Sequence, residues 1–414
     1  MKARFVFVVL VLAALMLSAC QPAATATVPA PAGDEAAAPA GEPEACASDE
    51  FGCAVIADGD TVKIGMGAPM TGDNANFGTD ISQGGTIAIQ DAGDIDGWAF
   101  ELVTEDDGGT PEGGAAVANK LVSDPTVVAI AGHIFSGATD AAMPIYEDAG
   151  LPMLSPSATN PALTEKGSAV FNRVAFTDAD QGKYAAEYLY NILSVTKLAI
   201  MHDGQSYGQG LAEVVRDEFT ALGGEVVAFE AITPGETDYT APLSSVANED
   251  PEALYYGGYV QEGVVLVNQM AQSGLEDVIF FGCDGTFGQD YIDRTGANSE
   301  GSYGTSLIPP ASDAKTAFDE AYQTEFGVAS GSLSPYTWTG YDSVAALVYA
   351  VKSVAIDGGD GNLYIPRGAL VTAVRTLTDY QGLTGTITCS EIGECNSSGP
   401  TFYVVKDAAW TEAE

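Results

Sequence analysis

The chain is short of basic residues: it has 15 Lys and Arg against 57 Asp and Glu, a formal net charge of −42 over 414 residues. This charge argues against a nucleic-acid or anionic-membrane ligand, because both would repel an acidic protein. Histidine is scarcer still, with only His133 and His202, both far in sequence from the cysteines. Its scarcity argues against a zinc site. The acidity itself is typical of a solubilising surface and identifies no ligand.

After the N-terminal segment, the sequence has no apolar run near the roughly twenty residues that a membrane-spanning helix needs. The first twenty residues combine basic Lys2 and Arg4, an apolar run, and Leu-Ser-Ala-Cys ending at Cys20. This arrangement predicts a lipoprotein signal peptide over 1–19. Cleavage before Cys20 and acylation of its thiol would anchor the protein at the periplasmic or outer face of the cell membrane. The alternative is an ordinary signal peptide with a chance cysteine.

Residues 20–59 are rich in Ala, Pro, Thr and Glu and have few large apolar side chains, which predicts a flexible tether. Cys46 and Cys53 lie within it, and Cys389 and Cys395 lie near the C-terminus. Each pair could close a short disulfide loop in an oxidising compartment. Cys283 is left over and is predicted to be a buried thiol.

From residue 60 onward, strand-like runs alternate with helix-like segments. The pattern begins at Val62–Ala68 and restarts at Leu198–His202. Repeated βαβ units predict an α/β protein with two doubly wound, Rossmann-like lobes and parallel central sheets. Gly385–Thr388 and Thr401–Val405 are predicted to form a terminal β-hairpin. Ligands of such folds lie at the carboxyl ends of the strands, so a cleft between the lobes is the expected site.

Two runs of small hydroxyl residues, 136–139 and 155–159, each follow an apolar strand-like run. The first run also opens a helix-like segment. A helix start has free backbone N–H groups and partial positive charge, and hydroxyl groups add donors with little bulk. Two such loops side by side could hold one carboxylate, which predicts a site for a small molecule.

At these loops the sequence resembles the periplasmic substrate-binding proteins of the leucine/isoleucine/valine type, which feed ABC importers. The resemblance extends from about Lys63 to Val405. It is carried by the segments IGMGAPMTGDNANFG, AVANKLVSDPTVVAIAGH, IYEDAGLPMLSPSATNPALT, IMHDGQSYGQGLA and LYYGGYVQEG. It implies a monomeric, hinged clamp that closes on one α-amino acid. The closed form is then recognised by a permease, which works with ATPase subunits. It also implies three chain crossings between a first lobe of 60–177 and 308–396 and a second lobe of 178–307 and 397–414.

The resemblance assigns the ligand carboxylate to three residues. Ser136 should donate its hydroxyl group to the carboxylate, and Ser157 should contribute backbone groups. Thr159 should contact both the carboxylate and the amine. A zwitterion needs donors at one end and a negatively charged acceptor at the other, and the residue types agree with that requirement.

The same resemblance places the remaining ligand contacts around the ammonium group and the side chain. Tyr207 should close over the site from the second lobe, and Tyr259 and Asp284 should face the ammonium. Phe77 and Tyr336 should form the wall of the side-chain pocket. Asp284 is one methylene shorter than the glutamate usual in the family, and Phe77 stands where a larger aromatic is common. These departures concern the ligand's side chain more than its head group.

Local alternatives exist for each of these residues. Ser136 could be a plain helix N-cap, and Thr159 and Asp284 could be turn residues. Tyr207 and Tyr259 could be surface aromatics of a lobe.

Catalysis and metal binding are both disfavoured by the sequence. A serine nucleophile needs a base and a group that orients the base, and the two histidines of the chain leave little choice of base. His133, which precedes Ser136, is expected to be a structural residue at a strand end. Asp106-Asp107-Gly108 lacks the spacing of a calcium loop. We therefore expect a binding protein with no catalytic residue, metal or cofactor.

The identity of the ligand stays open at this point. A branched-chain or aliphatic amino acid is the default of the family, while relatives also take amides, urea and aromatic acids. The same clamp could also act as a ligand sensor for a membrane receptor.

Overall fold

The computed structural model describes residues 41–395 and 399–413. The strands are β1 Cys53–Ala57, β2 Val62–Ala68, β3 Asp94–Ile95, β4 Trp98–Asp106, β5 Val127–Ile130, β6 Met153–Ser155, β7 Phe171–Arg173, β8 Lys197–His202, β9 Glu225–Ala231, β10 Ala253–Gly257, β11 Ile279–Phe281, β12 Tyr303–Ser306, β13 Ile356–Asp357, β14 Asn362–Pro366, β15 Tyr380–Gln381, β16 Thr386–Ile387, β17 Thr401–Lys406 and β18 Ala409–Glu412. The α-helices are α1 Glu44–Ser48, α2 Ala75–Ala92, α3 Pro111–Val122, α4 Ser136–Ala149, α5 Ala162–Glu165, α6 Asp178–Glu187, α7 Ser206–Ala221, α8 Thr240–Ala247, α9 Val260–Met270, α10 Gln289–Thr295, α11 Asp313–Phe326, α12 Thr337–Val354 and α13 Arg367–Arg375. Within these ranges, no helix has the length and apolarity needed to cross a bilayer.

Two large sheets form the centre of the fold. The first has six strands in the order β3-β4-β2-β5-β6-β7, and the second has seven in the order β18-β17-β12-β11-β10-β8-β9. Pairing is parallel from β4 to β7 in the first sheet and from β9 to β12 in the second. The predicted α/β class with parallel central sheets is therefore confirmed. In each sheet the carboxyl ends of the parallel strands lie at one edge, where a ligand site is expected.

Glycines allow two long helices of the first sheet to pack closely. A Cβ atom on Gly84 of α2 would lie 2.3 Å from the carbonyl oxygen of Thr337, the first residue of α12. A Cβ atom on Gly340 of α12 would lie 2.6 Å from the carbonyl oxygen of Ile81. Both distances are too short for a side chain, so only glycine permits this approach. The packing fixes the start of α12, and with it Tyr336 immediately before the helix.

The predicted flexible tether is wrong for its C-terminal part. Within the predicted 20–59 segment, β1 pairs antiparallel with β14 and buries Ala54 and Ile56. The carboxylate of Asp49 accepts the backbone N–H groups of Gly368 and Ala369 at the start of α13. Ala54 and Ile56 gain their burial from a strand more than 300 residues away, which composition alone does not reveal. Residues 20–40 of the predicted tether, and the predicted signal peptide with Cys20, lie outside the described residues.

The cysteine pairs predicted from the sequence are bonded in the structure. Cys46 is joined to Cys53, which ties α1 to β1, and Cys389 is joined to Cys395. Cys283 is a buried free thiol. The predicted terminal hairpin is wrong, because β16 pairs with β15 while β17 forms a hairpin with β18. Asp407 and Ala408, with φ of 51° and 58°, make the two-residue turn between β17 and β18.

Three buried carboxyl groups make stability depend on pH. Burial raises the pKa of Asp80 and of Asp342 from 3.8 to about 6, and that of Asp203 to about 7. The folded protein binds these protons more tightly than the unfolded chain does, so each ionised group costs stability above its folded pKa. For Asp80 and for Asp342, this cost to the free energy of unfolding is on the order of 3 kcal/mol each, and it decreases as the pH falls through 6. His202, whose pKa is lowered by burial, opposes the trend as one group against three.

We therefore expect the melting temperature to rise when the pH is lowered from 7.5 to 5.5. Calorimetry at the two pH values measures the change. An Asp342→Asn variant should show a smaller rise, because one of the three groups no longer titrates. A melting temperature that falls over this interval would contradict the assignment.

Candidate functional site

The loops at the carboxyl ends of the two sheets meet around one small cavity. Every predicted ligand residue except Thr159 lines it, and Ile134, Phe135 and Gly285 complete the wall: Phe77, Ile134, Phe135, Ser136, Ser157, Tyr207, Tyr259, Asp284, Gly285 and Tyr336. The cavity encloses about 250 Å³, of which about 10 Å³ can take the centre of a water molecule. That space suits one water, so the two walls must separate to admit an amino acid.

One wall of the cavity carries the hydroxyl groups. Helix α4 begins at Ser136, so the first hydroxyl run opens a helix as predicted. The N-cap position of α4 is Phe135, and no side chain caps the helix, so Ser136 is not the plain N-cap of the alternative. Its hydroxyl oxygen instead accepts the backbone N–H of Asn160 at 3.3 Å. Because Ser136 lines the cavity, α4 begins at the site, and a helix start has free backbone N–H groups that suit an anion.

A second hydroxyl loop packs against the first. The Ser157 hydroxyl donates to the carbonyl oxygen of Ile134 at 2.7 Å, and that of Ser155 donates to the carbonyl oxygen of His133 at 2.7 Å. With the Ser157 hydroxyl engaged in this way, its backbone groups are what it can offer to a ligand. Thr159 does not line the cavity but is buried beside Asp178, and its hydroxyl makes no hydrogen bond of normal geometry.

Arg173, at the end of β7, fixes this second loop by donating hydrogen bonds to its backbone. Its Nη1 donates to the carbonyl oxygens of Ala158 and Asn160, at 3.0 and 2.7 Å, on either side of Thr159. Its Nε and Nη2 donate to the carboxylate of Glu394 at 2.9 and 2.6 Å. Arg173 is completely buried, so its charge depends on this bidentate partner. The loop that offers Ser157 and Thr159 is therefore fixed by an ion pair with the disulfide-bounded segment 389–395.

The opposite wall carries Asp284, which is 3% exposed. Its Oδ1 accepts the Tyr207 hydroxyl at 2.5 Å and the Gln181 amide at 2.6 Å, and its Oδ2 accepts the Tyr336 hydroxyl at 2.5 Å. Burial raises the pKa of Asp284, and these three donors oppose the rise. The carboxylate thus bonds to three separate parts of the chain, which a role within its own turn would not require.

Aromatic rings form the rest of the wall. Phe135 stacks on Tyr259 with ring centroids 4.4 Å apart, and Phe77 packs edge-on against Phe135 at 5.6 Å. Tyr207 lies 5.3 Å from Tyr259. All of these side chains are buried, so neither Tyr207 nor Tyr259 is a surface aromatic. Phe77 and Phe135 follow strands of the first sheet, while Tyr207 and Tyr259 follow strands of the second, so the stack joins the two lobes.

Gly285 lets two loops of the second sheet approach each other. A Cβ atom at this position would lie 2.3 Å from the carbonyl oxygen of Gly258. The backbone N–H of Gly285 donates to the Tyr207 hydroxyl oxygen at 3.2 Å. This contact orients the tyrosine hydroxyl toward Asp284.

His133 is a buried structural residue. Its Nδ1 bonds to Asp107 Oδ2 at 2.7 Å, and its Nε2 bonds to the Tyr146 hydroxyl at 3.0 Å. Both ring nitrogens are therefore engaged, and neither is bonded to the Ser136 hydroxyl. Among residues 41–395 and 399–413, no group of three His, Cys, Asp or Glu side chains is placed to hold a metal ion.

The sequence predictions missed Gln181, Asp178 and Arg173. These residues follow or end the strand β7, which was not predicted because it has only three residues and includes the polar pair Asn-Arg. Because β7 was not predicted, the segment that follows it was not among the loops expected to contact the ligand. The sequence does contain a signal for these residues. The apolar tripeptide Val-Ala-Phe directly after the strand implies a buried segment, and the next residue, Thr177, is the N-cap of α6.

Comparisons with known proteins show the family to which the chain belongs. The family described as periplasmic binding protein matches residues 61–404. The leucine-specific-binding protein of Salmonella typhimurium is 35% identical over 302 residues, 72% of this chain and 80% of that protein. An amino acid binding protein of Pseudomonas aeruginosa is 38% identical over 217 residues, 52% of this chain and 58% of that protein.

Two solved structures have the same fold. One is a leucine-binding protein from Thermotoga maritima, with a TM-score of 0.77 and 27% identity over 86% of this chain and 98% of that one. The other is a branched-chain amino acid transporter substrate-binding protein from Streptococcus pneumoniae in complex with isoleucine, with a TM-score of 0.76 and 28% identity over 86% of this chain and 99% of that one.

Proposed function

Because the chain belongs to the periplasmic binding protein family of ABC transporters for branched-chain amino acids, we propose that it captures a branched-chain or aliphatic α-amino acid outside the cytoplasm. Its role is that of a ligand-binding clamp, which hands the solute to a permease driven by ATPase subunits. No catalytic step is part of this role.

One observation carries the choice of an amino acid. The cavity has hydroxyl groups and the start of α4 on one wall, and a buried carboxylate, Asp284, on the other. An α-carboxylate suits the first wall and an α-ammonium suits the second. The aromatic rings of Phe77, Phe135 and Tyr259 between them favour an apolar side chain. Relatives named for leucine, isoleucine and valine support the same class.

Closure of the clamp follows from where the contacts come from. We assign 60–177 and 308–396 to one lobe, and 178–307 and 397–414 to the other, with the third crossing at 396–397 lying outside the described residues. A ligand bound to Ser136 and Asp284 at once would contact both lobes. It would therefore shift the equilibrium toward the closed form by its differential affinity for that form.

We also propose a lipid anchor at Cys20 and a monomeric state. The basic start, the apolar run and Leu-Ser-Ala-Cys support the anchor. In a bacterial host, the protein should fractionate with membranes, whereas a Cys20→Ser variant should not. Size-exclusion chromatography with light scattering of a form lacking the anchor tests the monomer.

A thermal-shift screen tests the ligand class. The purified protein is heated with each common amino acid, and separately with amides, urea and aromatic carboxylates. A ligand at 100 times its Kd adds about 2.7 kcal/mol to the free energy of unfolding, which a melting scan detects. We expect a shift with leucine, isoleucine or valine. A shift only with an amide, urea or an aromatic acid would retain the clamp and overturn the amino acid assignment.

A Ser136→Ala variant should bind the amino acid about 1.5–3 kcal/mol more weakly, because one hydrogen bond to a charged carboxylate is lost. Titration calorimetry measures the Kd. The matched control is Ser168→Ala, which removes a hydroxyl of the same kind outside the cavity lining and should leave the Kd unchanged. Equal affinities for both variants would remove Ser136 from the ligand contacts.

A further inference from the structure

Asp80, on helix α2 one turn after Phe77, is a completely buried carboxylate that does not itself line the cavity. Three hydroxyl groups donate to it. The Tyr322 hydroxyl lies 2.7 Å from its Oδ1, the Ser334 hydroxyl lies 2.6 Å from its Oδ2, and the Thr337 hydroxyl lies within 2.8 Å of both oxygens. Within the described part of the chain, these partners include no basic side chain. A carboxylate buried on neutral donors alone is costly, so its position needs an explanation.

Asp80 holds the turn 331–337 on both sides of Tyr336. The Ser334 hydroxyl donates to Asp80, and its oxygen also accepts the backbone N–H of Tyr336 at 3.2 Å. The Thr337 hydroxyl donates to Asp80 from the other side of the tyrosine. Its oxygen also accepts the backbone N–H of Gly331 at 2.8 Å, which closes the turn. The backbone of Tyr336 is therefore fixed through the hydroxyl groups that Asp80 binds.

Tyr336 transmits this restraint to the candidate site. Its side chain lines the cavity, and its hydroxyl donates to Asp284 Oδ2 at 2.5 Å. Phe77, which also lines the cavity, lies on the same helix as Asp80. Asp80 therefore joins the helix that carries Phe77 to the turn that carries Tyr336. In the lobe assignment given above, the bond from Tyr336 to Asp284 also joins the two lobes.

We propose that Asp80 is a positioning residue for ligand binding, which in its ionised form holds Tyr336 against the cavity and within reach of Asp284. This inference rests on the proposed function and adds to it a dependence of affinity on pH. The ionised carboxylate accepts from all three hydroxyl groups. The neutral carboxyl group donates a proton of its own, so one of the three hydroxyl groups has to turn away. Protonation of Asp80 therefore loosens the turn 331–337 and weakens binding of the solute.

The surroundings of Asp80 set the pH range of this effect. Burial raises its pKa from 3.8 to about 6, and the three hydroxyl donors oppose the rise. The titratable group that faces it is Tyr322 of α11, which stays protonated because burial and the charge of Asp80 raise its pKa. Charged groups elsewhere on α11 and α12 have other partners: Lys315 pairs with Asp319, and Asp342 accepts backbone N–H groups of 383–384. A ligand that requires ionised Asp80 lowers its pKa further, so the affinity should fall as the pH falls from 7.5 to 5.

A matched pair of variants separates positioning from stability. Ser334→Ala and Tyr322→Phe each remove one hydroxyl donor from Asp80, but only Ser334 connects Asp80 to the backbone of Tyr336. Titration calorimetry at pH 7.5 with leucine, or with the amino acid that gives the largest thermal shift, measures the Kd. Ser334→Ala should raise the Kd about 2- to 30-fold, and Tyr322→Phe should raise it by less than about twofold. A role in stability alone predicts the same effect for both variants.

The pH profile of the Kd tests Asp80 itself. Burial also raises the pKa of Asp284, so the profile of the unmodified protein has to be compared with that of Asp80→Asn, in which position 80 no longer titrates. If the ligand lowers the pKa of Asp80 by one unit, the Kd of the unmodified protein rises about fivefold more than that of Asp80→Asn between pH 7.5 and 5. Asp342→Asn is the matched control. It removes another buried carboxyl group with a pKa of about 6, outside the cavity lining, and should keep the Kd and the pH profile of the unmodified protein.

An Asp80→Asn protein with the pH profile of the unmodified protein would overturn the inference, whether or not its Kd at pH 7.5 is raised, while the proposed function stands. No amino acid bound by the unmodified protein would overturn the proposed function itself. If Asp80→Asn does not fold, Ser334→Ala and Tyr322→Phe decide the question, since equal Kd values in these two variants would contradict the positioning role.

Discussion

An Asp284→Ala variant is expected to bind its amino acid about 2–5 kcal/mol more weakly than the unmodified protein, a loss of roughly thirtyfold to several thousandfold in affinity. The carboxylate is 3% exposed, so the ligand ammonium would lose its countercharge in a place that is largely shielded from water. Titration calorimetry at pH 7.5 measures the loss. The largest part should appear as faster dissociation, which stopped-flow fluorescence resolves.

Two further variants separate charge from folding. Asp284→Asn keeps one acceptor oxygen, for either Tyr207 or Tyr336, and its NH2 group can donate to the other hydroxyl oxygen. It removes the charge, so it should retain the fold and still bind weakly. Asp277→Ala removes an exposed carboxylate from the same lobe and should bind as the unmodified protein does. Wild-type affinity in a folded Asp284→Ala protein would show that the ammonium is bound elsewhere.

An Arg173→Ala variant is expected to lower the free energy of unfolding by about 3–5 kcal/mol. The guanidinium is completely buried, and its loss leaves the Glu394 carboxylate without its cation and removes one donor from each of the carbonyl oxygens of Ala158 and Asn160. Denaturation in urea measures the change. The affinity for the ligand should fall as well, because the loop that carries Ser157 and Thr159 is no longer fixed.

The surface pair Arg294–Asp290 gives the matched control, because both of its side chains are partly exposed to solvent. Arg294→Ala should cost less than about 1 kcal/mol. In the double variant Arg173→Met/Glu394→Leu, part of the lost stability should return, since neither charge is then left unpaired. Arg173→Ala with the same stability as Arg294→Ala would contradict the role assigned to the buried pair.

The predictions from sequence were right wherever a local pattern fixes the outcome. The run Val62–Ala68 forms a strand in which every residue except Lys63 is buried, and the alternation of strands and helices predicted the parallel sheets. The two hydroxyl loops were placed together because the carboxyl ends of parallel strands in one sheet share an edge, and Asp284 came from the resemblance. Resemblance supplied Tyr207, Tyr259 and Tyr336, whose residue types alone would not have identified them.

The predictions failed where the partner of a segment lies far along the chain. Strand β1 is stabilised by its pairing with β14. Strand β17 does not form the predicted hairpin, because it pairs with β12 and β18. Arg173 and Glu394, 221 residues apart, were not recognised as a pair for the same reason. A composition rich in alanine predicts disorder only when no distant strand is available to bury its apolar side chains.

The sequence by itself determined the class of fold, the acidic composition and the two hydroxyl loops, because these depend on residue type and short-range periodicity. Tertiary structure alone decided which side chains share the site. It brought Asp178 beside Thr159, closed Tyr207 and Tyr336 onto Asp284, and set Arg173 beneath the ligand loop. The physical reason is that burial and unbalanced charge arise only when distant segments exclude water together, and no local pattern encodes that exclusion.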